Sequence, residues 1–514
     1  MNYSLITWLL SAAPILLFLI LMTGFHWGGS RAGALSWLVT VALTLFVFGG
    51  NLELLGYSQA KAFFLSADVL YIIWAALLLY HLTEAAGTVS MLGIELSKIA
   101  SSPAAKSIFL GWLFPSFLQG MGGFGVPVAV AAPLLVASGF SATQAVIMAS
   151  IGIGWSVNFG SMASSFQTLL AATGLSGQYL APEAAILLGI TVPVCGVLVA
   201  FIAGGWKGVK ETLFTILLLS PVLAFGQYAM ATSGFWIVAV TLPSLLALGI
   251  AFIIGTIKTK RNETITSTAL PNYKKLLLSV LPYFILILIT LAVELWQPLG
   301  SVLDQVKIGL TFPEIRTTLG WLTNAGNGRS ISVFGHPGAL ILYASVISYF
   351  IFRRSGLLNK NQLINILQKT YKSATQSSLA IFEMVGIATL MTHTGMTNTL
   401  AVGISAAISQ QFYPLVSPFI GALGAFITGS NNNSNVLFGA LQMRTAELLK
   451  LDVPMILGAQ TAGGSVGSVL SPAKVIVGCS TVGLSGKEGQ VMGKLLLIGL
   501  IPIIVIAISA FILV

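Results

Sequence analysis

Thr428-Gly429-Ser430-Asn431-Asn432-Asn433-Ser434-Asn435 is an unbroken run of hydrogen-bonding side chains and bare backbone, set between the uncharged, mostly apolar stretches 414–427 and 436–443. In a water-soluble chain such a run is a surface loop. This chain is not of that class: of its 514 residues 56% are hydrophobic and 7% charged, whereas a soluble domain carries roughly a quarter charged residues. A disordered chain is excluded by the same figures. The polar run therefore lies inside a membrane protein, where an unwound backbone must be buried in protein or line a wet cavity, because unsatisfied amides in hydrocarbon cost several kcal/mol each. Its amides and hydroxyls suit the carboxylate and hydroxyl oxygens of a small polar solute. Ser430, Asn431, Asn432, Asn433, Ser434 and Asn435 are accordingly candidate binding residues.

Outward from this run, apolar stretches alternate with short basic ones. At about 20 residues per pass, the length holds roughly 12–14 transmembrane segments of an all-α polytopic membrane protein. Lys207 and Lys210, then Lys258, Lys260, Arg261, Lys274 and Lys275, then Arg353, Arg354, Lys360, Lys369 and Lys372 mark cytoplasmic connections by the positive-inside rule. The net charge of +10 thus reports topology, not nucleic acid. By the same parity 298–337, with mixed charges, is an external insert, and 359–372 reads as an interfacial helix. The apolar run 5–25 is long enough to span, and residues 1–30 hold no lysine or arginine, so it reads as a retained helix and not a cleaved signal. Cys195 and Cys479 lie in apolar runs and read as small buried side chains.

A second break, Phe117-Leu118-Gln119-Gly120-Met121-Gly122-Gly123-Phe124-Gly125-Val126-Pro127, interrupts the first half. Each glycine costs a helix about 1 kcal/mol against alanine and proline about 3, so the helix stops here. A new one starting at Val126-Pro127 would aim its free N–H groups at the break, where an anion is the natural guest. Gln119, Gly120, Gly122, Gly123 and Gly125 are candidate binding residues, close glycine packing being the alternative. The halves also echo one another. Gly-Leu-Ser-Gly ends at Gly177, 57 residues after Gly120, and again at Gly486, 57 residues after Gly429; Gly154-x-Ser156-Val157 matches Gly463-x-Ser465-Val466 in the same register. This predicts two inverted structural repeats with broken helices or re-entrant hairpins, in the manner of many carriers. The expected organisation is N-terminal helices over 1–59, a first repeat over 60–205, connector helices over 206–370 and a second repeat over 371–514.

Ser156 and Asn158 in the span 150–168, and Ser471 and Lys474 in the span 460–481, support the two breaks. A lysine in an otherwise uncharged span is costly and functional by default, snorkelling to an interface being its bland alternative. Coupling to protons needs a group that titrates, and Asp68, His81, Glu84, Glu383 and His393 are the candidates. No metal-ligand cluster, nucleophile–base pair or nucleotide loop is present, so neither an enzyme nor a cofactor or metal is expected.

With these residues in view, the chain resembles the L-lactate permease family, carriers of lactate and related 2-hydroxy monocarboxylates such as glycolate. The resemblance rests on Phe117-Leu118-Gln119-Gly120 through Gly125-x-Pro127-Val128-Ala129, on Thr428-Gly429-Ser430-Asn431 through Ser434-Asn435-Val436-Leu437-Phe438, and on Ser471-Pro472-Ala473-Lys474 through Gly483-Leu484-Ser485-Gly486-Lys487-Glu488. It implies proton symport across the plasma (inner) membrane and a two-repeat fold with hairpins, the partners being a small organic anion (lactate of either hand, or glycolate), protons and lipid. A homo-oligomer is compatible with the sequence, which leaves the oligomeric state open. One position departs: known members carry glutamate before the first glycine of the opening motif, and this chain carries Gln119. A sodium-coupled carrier of another organic anion and an ion channel or ion-conducting subunit are the alternatives.

Overall fold

The computed structural model describes residues 4–25, 27–97, 102–123, 125–261 and 273–514. Phe124 of the first break, the segment 262–272 and the side chains of Lys258, Lys260, Arg261 and Lys274 lie outside the described residues. The chain opens with α1 (Leu5–Thr23), α2 (Gly29–Phe46) and α3 (Leu52–Ala85), then α4 (Thr88–Ser97) and α5 (Pro103–Ile108). A π-helical turn at Phe109–Leu113 leads into α6 (Phe114–Met121), followed by α7 (Val126–Ala137), α8 (Ala142–Gly152), α9 (Gly160–Thr173) and α10 (Gly177–Thr232). Gly204 and Gly205, the latter at φ +59°, divide α10 into two helices. After them come α11 (Thr241–Arg261), α12 (Tyr273–Leu295), α13 (Gln297–Leu303) and α14 (Pro337–Arg354). The last part holds α15 (Gln362–His393), α16 (Met396–Ala407), α17 (Tyr413–Thr428), α18 (Asn431–Leu448), α19 (Val453–Val469), α20 (Pro472–Thr481) and α21 (Glu488–Leu513). Among the described residues nine helical stretches are long and apolar enough to cross a membrane.

The second half repeats the first, element by element. Helix α3, α4, the α5–α6 helix, α7, α8, α9 and the first part of α10 are matched in order by α15, α16, α17, α18, α19, α20 and α21. The orientation follows from α3 and α15, which pack side by side. Gln59 Nε2 donates to the Gly386 carbonyl (3.3 Å), Trp74 Nε1 to Ser378 Oγ (3.0 Å) and Lys369 Nζ to Glu84 (3.4 Å). As the α3 number rises the α15 number falls, so these equivalent helices are antiparallel and the two repeats are inverted.

Each repeat contains one re-entrant hairpin and one broken helix. In the second, Tyr413 donates to Gln442 (2.5 Å) and Ser434 to the Gly421 carbonyl (2.7 Å), so α17 and α18 fold back on each other about Gly429. Gly429 sits at φ +74° and ends α17 in the left-handed conformation that glycine adopts without penalty. In the first, Gly111 before α6 lies beside Leu135 of α7, with Gly122, Gly123 and Gly125 at the tip. The spans 150–168 and 460–481 are the broken helices: the first is interrupted by turns between α8 and α9, the second at Leu470-Ser471 before Pro472. Tight backbone contact replaces hydrophobic driving force here. Gly463 and Gly467 of α19 press against the Pro418 and Ala422 carbonyls of α17, leaving no room for a Cβ.

Two connecting segments differ in detail from expectation. Residues 359–372 do not form a separate interfacial helix; most of them are the first turns of α15, because no glycine or proline interrupts 362–385. The insert is helix α13 and a hairpin in which β1 (Lys307–Ile308), β2 (Thr311–Phe312) and β3 (Ile315–Arg316) pair antiparallel with β6 (Ile331–Ser332), β5 (Gly326–Asn327) and β4 (Leu322–Thr323). Its tip is tied down: Thr318 N–H donates to the Gly49 carbonyl (2.8 Å) and Trp321 Nε1 to the Thr392 carbonyl (3.1 Å). The hairpin therefore covers the end of α3 and α15 opposite Lys369 and Glu84, the end that the positive-inside rule leads one to expect on the outer side.

Candidate functional site

The tips of the two hairpins and the breaks of the two interrupted helices meet around one cavity of about 350 Å³. From the first repeat it is lined by Gln119 at the end of α6 and by Ser161, Ser164 and Ser165 of α9; from the second by 428–433 and by Lys474 of α20. Gly28, Gly29 and Ser30 at the start of α2 close one side.

Local backbone chemistry explains why polar groups point inward here. Ser430 is the N-cap of α18 and Ser471 that of α20, and neither uses its side chain to cap. The first N–H groups of each helix have no intrahelical acceptor and carry the positive end of the helix dipole. Opposite them, Ser161, Met162 and Ala163 have φ of 49°, 55° and 61°. Left-handed backbone costs an L-residue roughly 1–2 kcal/mol each, and strain of this kind persists only where surrounding structure holds it. Here Ser161 Oγ accepts from Gln119 Nε2 (3.4 Å) and the Asn158 carbonyl accepts from Phe166 N–H (3.2 Å).

Hydrogen bonds knit the two repeats together behind the lining. Ser165 Oγ donates to Asn432 Oδ1 (2.6 Å), and Asn435 Nδ2 donates to the Ser165 carbonyl and to Thr461 Oγ (both 2.9 Å). Thr461 Oγ donates to Asn158 Oδ1 (2.6 Å), while Asn431 Nδ2 reaches the Thr461 carbonyl at 3.3 Å. Ser465 bridges to the Gly154 carbonyl (2.7 Å) and accepts from Val157 N–H (3.1 Å). Around the same centre Gln119 Oε1, Asn158 Nδ2, Asn431 Oδ1 and Asn435 Oδ1 are buried without a protein partner. Lys474 is buried in the wall, its Nζ donating to Ser468 Oγ at 2.7 Å. No acidic residue lines the cavity among the described residues.

The expected binding residues divide by position. Gln119, Ser430, Asn431, Asn432, Asn433 and Lys474 face the cavity. Gly123 lies directly behind it, where a Cβ would strike Ser161 Oγ and Gln119 Nε2. Asn158 and Asn435 anchor the lining from the second layer, and Ser434 bonds within its own hairpin. Gly120 packs on the backbone of Thr241, Gly122 on the ring of Tyr80, and Gly125, at φ +87°, starts α7 beside Val477. Ser156 Oγ donates to the Ile153 carbonyl (2.9 Å) and Ser471 Oγ to the Ser468 carbonyl (2.8 Å).

None of the titratable candidates lines this cavity. Asp68, 1% exposed, accepts from Arg329 Nε (2.9 Å) and meets His336 Nε2 (3.1 Å). Glu84, in the last turn of α3, contacts His81 (3.3 Å), Tyr80 (3.0 Å) and Lys369 (3.4 Å). Glu383 packs against Gly33 of α2, and His393 lines a different, outer cavity. Sequence reasoning missed the Arg329–Asp68 pair, whose members are 261 residues apart, and the left-handed turn at Ser161, Met162 and Ala163, none of which is itself a glycine.

The L-lactate permease family model matches residues 7–514. The chain belongs to the L-lactate permease family. An L-lactate permease of Halalkalibacterium halodurans is 27% identical over 93% of this chain and 91% of the relative, and one of Streptococcus iniae 28% identical over 89% and 94%. Glycolate permease GlcA of Escherichia coli is 25% identical over 94% and 91%. Among solved structures, the Alcanivorax borkumensis YdaH transporter, described as having an unusual topology, aligns with a TM-score of 0.52 at 15% identity, over 95% of this chain and 98% of that one. That likeness extends the fold, not the substrate. Nine apolar helical stretches among the described residues and bacterial permease relatives make this member of the L-lactate permease family a multi-pass plasma-membrane transporter.

Proposed function

We propose that the chain is a secondary active carrier that takes up lactate, glycolate or a similar small 2-hydroxy monocarboxylate together with protons, by alternating access to the cavity between the two repeats. The observation that carries this is the cavity's charge: among the described residues, one buried cation, Lys474, with no acid in the lining. An ammonium has three donors and Lys474 directs one to Ser468, so a single carboxylate completes its shell. The N–H groups at the start of α18 and the amides of Asn432 and Asn433 then have the geometry to take the second carboxylate oxygen and the hydroxyl. A di- or tricarboxylate would bring more negative charge than one lysine balances. The names of the relatives, lactate and glycolate permeases, agree in substrate class.

Gln119 cannot exchange a proton, so the coupling proton is assigned to Asp68, His81, Glu84, Glu383 or His393. The test is uptake of labelled lactate into proteoliposomes with pH and sodium gradients varied independently. Accumulation under a pH gradient that persists when choline replaces sodium, and that excess glycolate inhibits, is the expected result. No accumulation and no glycolate effect overturns the substrate; a strict need for sodium overturns the coupling ion.

A further inference from the structure

A second cavity, of about 510 Å³, lies beneath the β-hairpin. Among the described residues its charged and titratable lining is of one sign: Lys61 of α3, Arg329 of the hairpin and His393 at the end of α15, with no Asp or Glu. Arg329 is already engaged by Asp68 and Gln167. Lys61 makes no ion pair or hydrogen bond among the described residues. His393 is 2% exposed, and neither ring nitrogen has a partner. Three donors are thus gathered in one chamber, and two of them are free.

The chamber is in line with the central cavity. On α9 the central cavity touches Ser164 and Ser165 and the outer one Thr168; on α18 the central touches Asn432 and Asn433 and the outer Val436. On α15 the corresponding pair is Ile381 and Val385. Each step is about one helical turn, roughly 5 Å. What stands between the two is the pair of bonds from Ser165 to Asn432 and from Asn435 to Ser165. Three helices line both chambers in succession, which is the arrangement of a single path interrupted by one hydrogen-bonded partition.

We propose that the outer cavity is a second solute site, in which Lys61 and His393 hold the carboxylate of a small organic anion on the outer side of that partition. That the anion is lactate-like rests on the carrier reading given above. The site itself rests on the cavity and its unpaired donors.

The test uses the full chain in right-side-out membrane vesicles, with lactate as the probe and a cysteine introduced by Ala388→Cys or Ala440→Cys, positions that line the outer cavity. The native Cys195 and Cys479 are buried and give little background. External lactate should slow labelling of the new cysteine by a membrane-impermeant maleimide at least about threefold. Lys61→Gln should abolish that protection and raise the half-saturation for entry roughly tenfold, the scale of one charge-assisted hydrogen bond. Half-saturation for exit from the inner face should move less than about twofold, and Lys61→Arg should restore protection. A purely structural lysine would lower the maximal rate in both directions and leave protection intact. His393→Gln serves as the second variant should Lys61→Gln fail to fold. Uptake by the parent chain without protection by lactate, or entry kinetics of both variants equal to the parent's, overturns the outer site and leaves the carrier reading standing. Protection without any uptake overturns the carrier reading and leaves the site.

Discussion

Replacing Lys474 with methionine separates a binding lysine from a structural one. The ammonium is buried with a single protein hydrogen bond, 2.7 Å to Ser468, and it faces the central cavity. If a substrate carboxylate completes its shell, Lys474→Met removes a charge-assisted hydrogen bond worth about 1.5–3 kcal/mol. Half-saturation for lactate then rises roughly 10- to 150-fold. Stability should move the other way. A buried charge without a counter-ion costs desolvation energy that an apolar side chain of similar length does not, so the variant should unfold at the same temperature as the parent or higher. Lactamide, which keeps the hydroxyl and loses the charge, supplies the control: the parent should prefer lactate strongly, and the variant should lose most of that preference. Uptake in proteoliposomes and thermal unfolding in detergent give both readouts. A variant that unfolds earlier yet transports with unchanged half-saturation and unchanged preference over lactamide would refute the assignment.

Three further outcomes follow from the packing. Thr461→Val removes the hydroxyl that donates to Asn158 across the repeats and accepts from Asn435 within the second, leaving buried amides unpaired; thermal unfolding should show a loss of about 1–3 kcal/mol, and no change would mean the network is not cohesive. Gly429→Ala places an L-residue at φ +74° with Ala473 3.4 Å from the added methyl, at a cost of about 1–2 kcal/mol, so its melting temperature should fall more than that of the exposed, helical Gly493→Ala. Arg329→Gln strands the carboxylate of Asp68 with His336 alone and should destabilise by up to about 3 kcal/mol; the double variant with Asp68→Asn should recover most of it in a mutant cycle, and additive losses would exclude the pair as a unit.

How much of this was legible in the sequence depends on the range of the interaction. The two breaks could be read directly, because glycine, proline and asparagine in an apolar chain are local violations with one physical remedy, burial around a wet cavity. The repeat was legible from the matched spacing of Gly120 and Gly429 to their downstream tetrapeptides. Lys474 stood out because charge is scarce. Continuity of 359–372 with α15 was misjudged because its lysines resemble an interfacial pattern, although nothing in the stretch stops a helix. Ser161 read as one hydroxyl among many in a long span.

The sequence by itself determined that the chain is a polytopic membrane protein, that helices stop at the two glycine- and asparagine-rich breaks and which polar groups have no business in lipid, since solvation and helix propensity are properties of short segments. Only the tertiary structure decided which helices carry the predicted inversion, that Lys474 and Gln119, 355 positions apart in the chain, line one cavity, and that Asp68 belongs to Arg329. Those facts come from α3 and α15 packing antiparallel and from Gln119 of one hairpin and the turn of the other lining the same cavity, and such pairings are set by which surfaces fit and which buried donors find acceptors, information no local stretch contains.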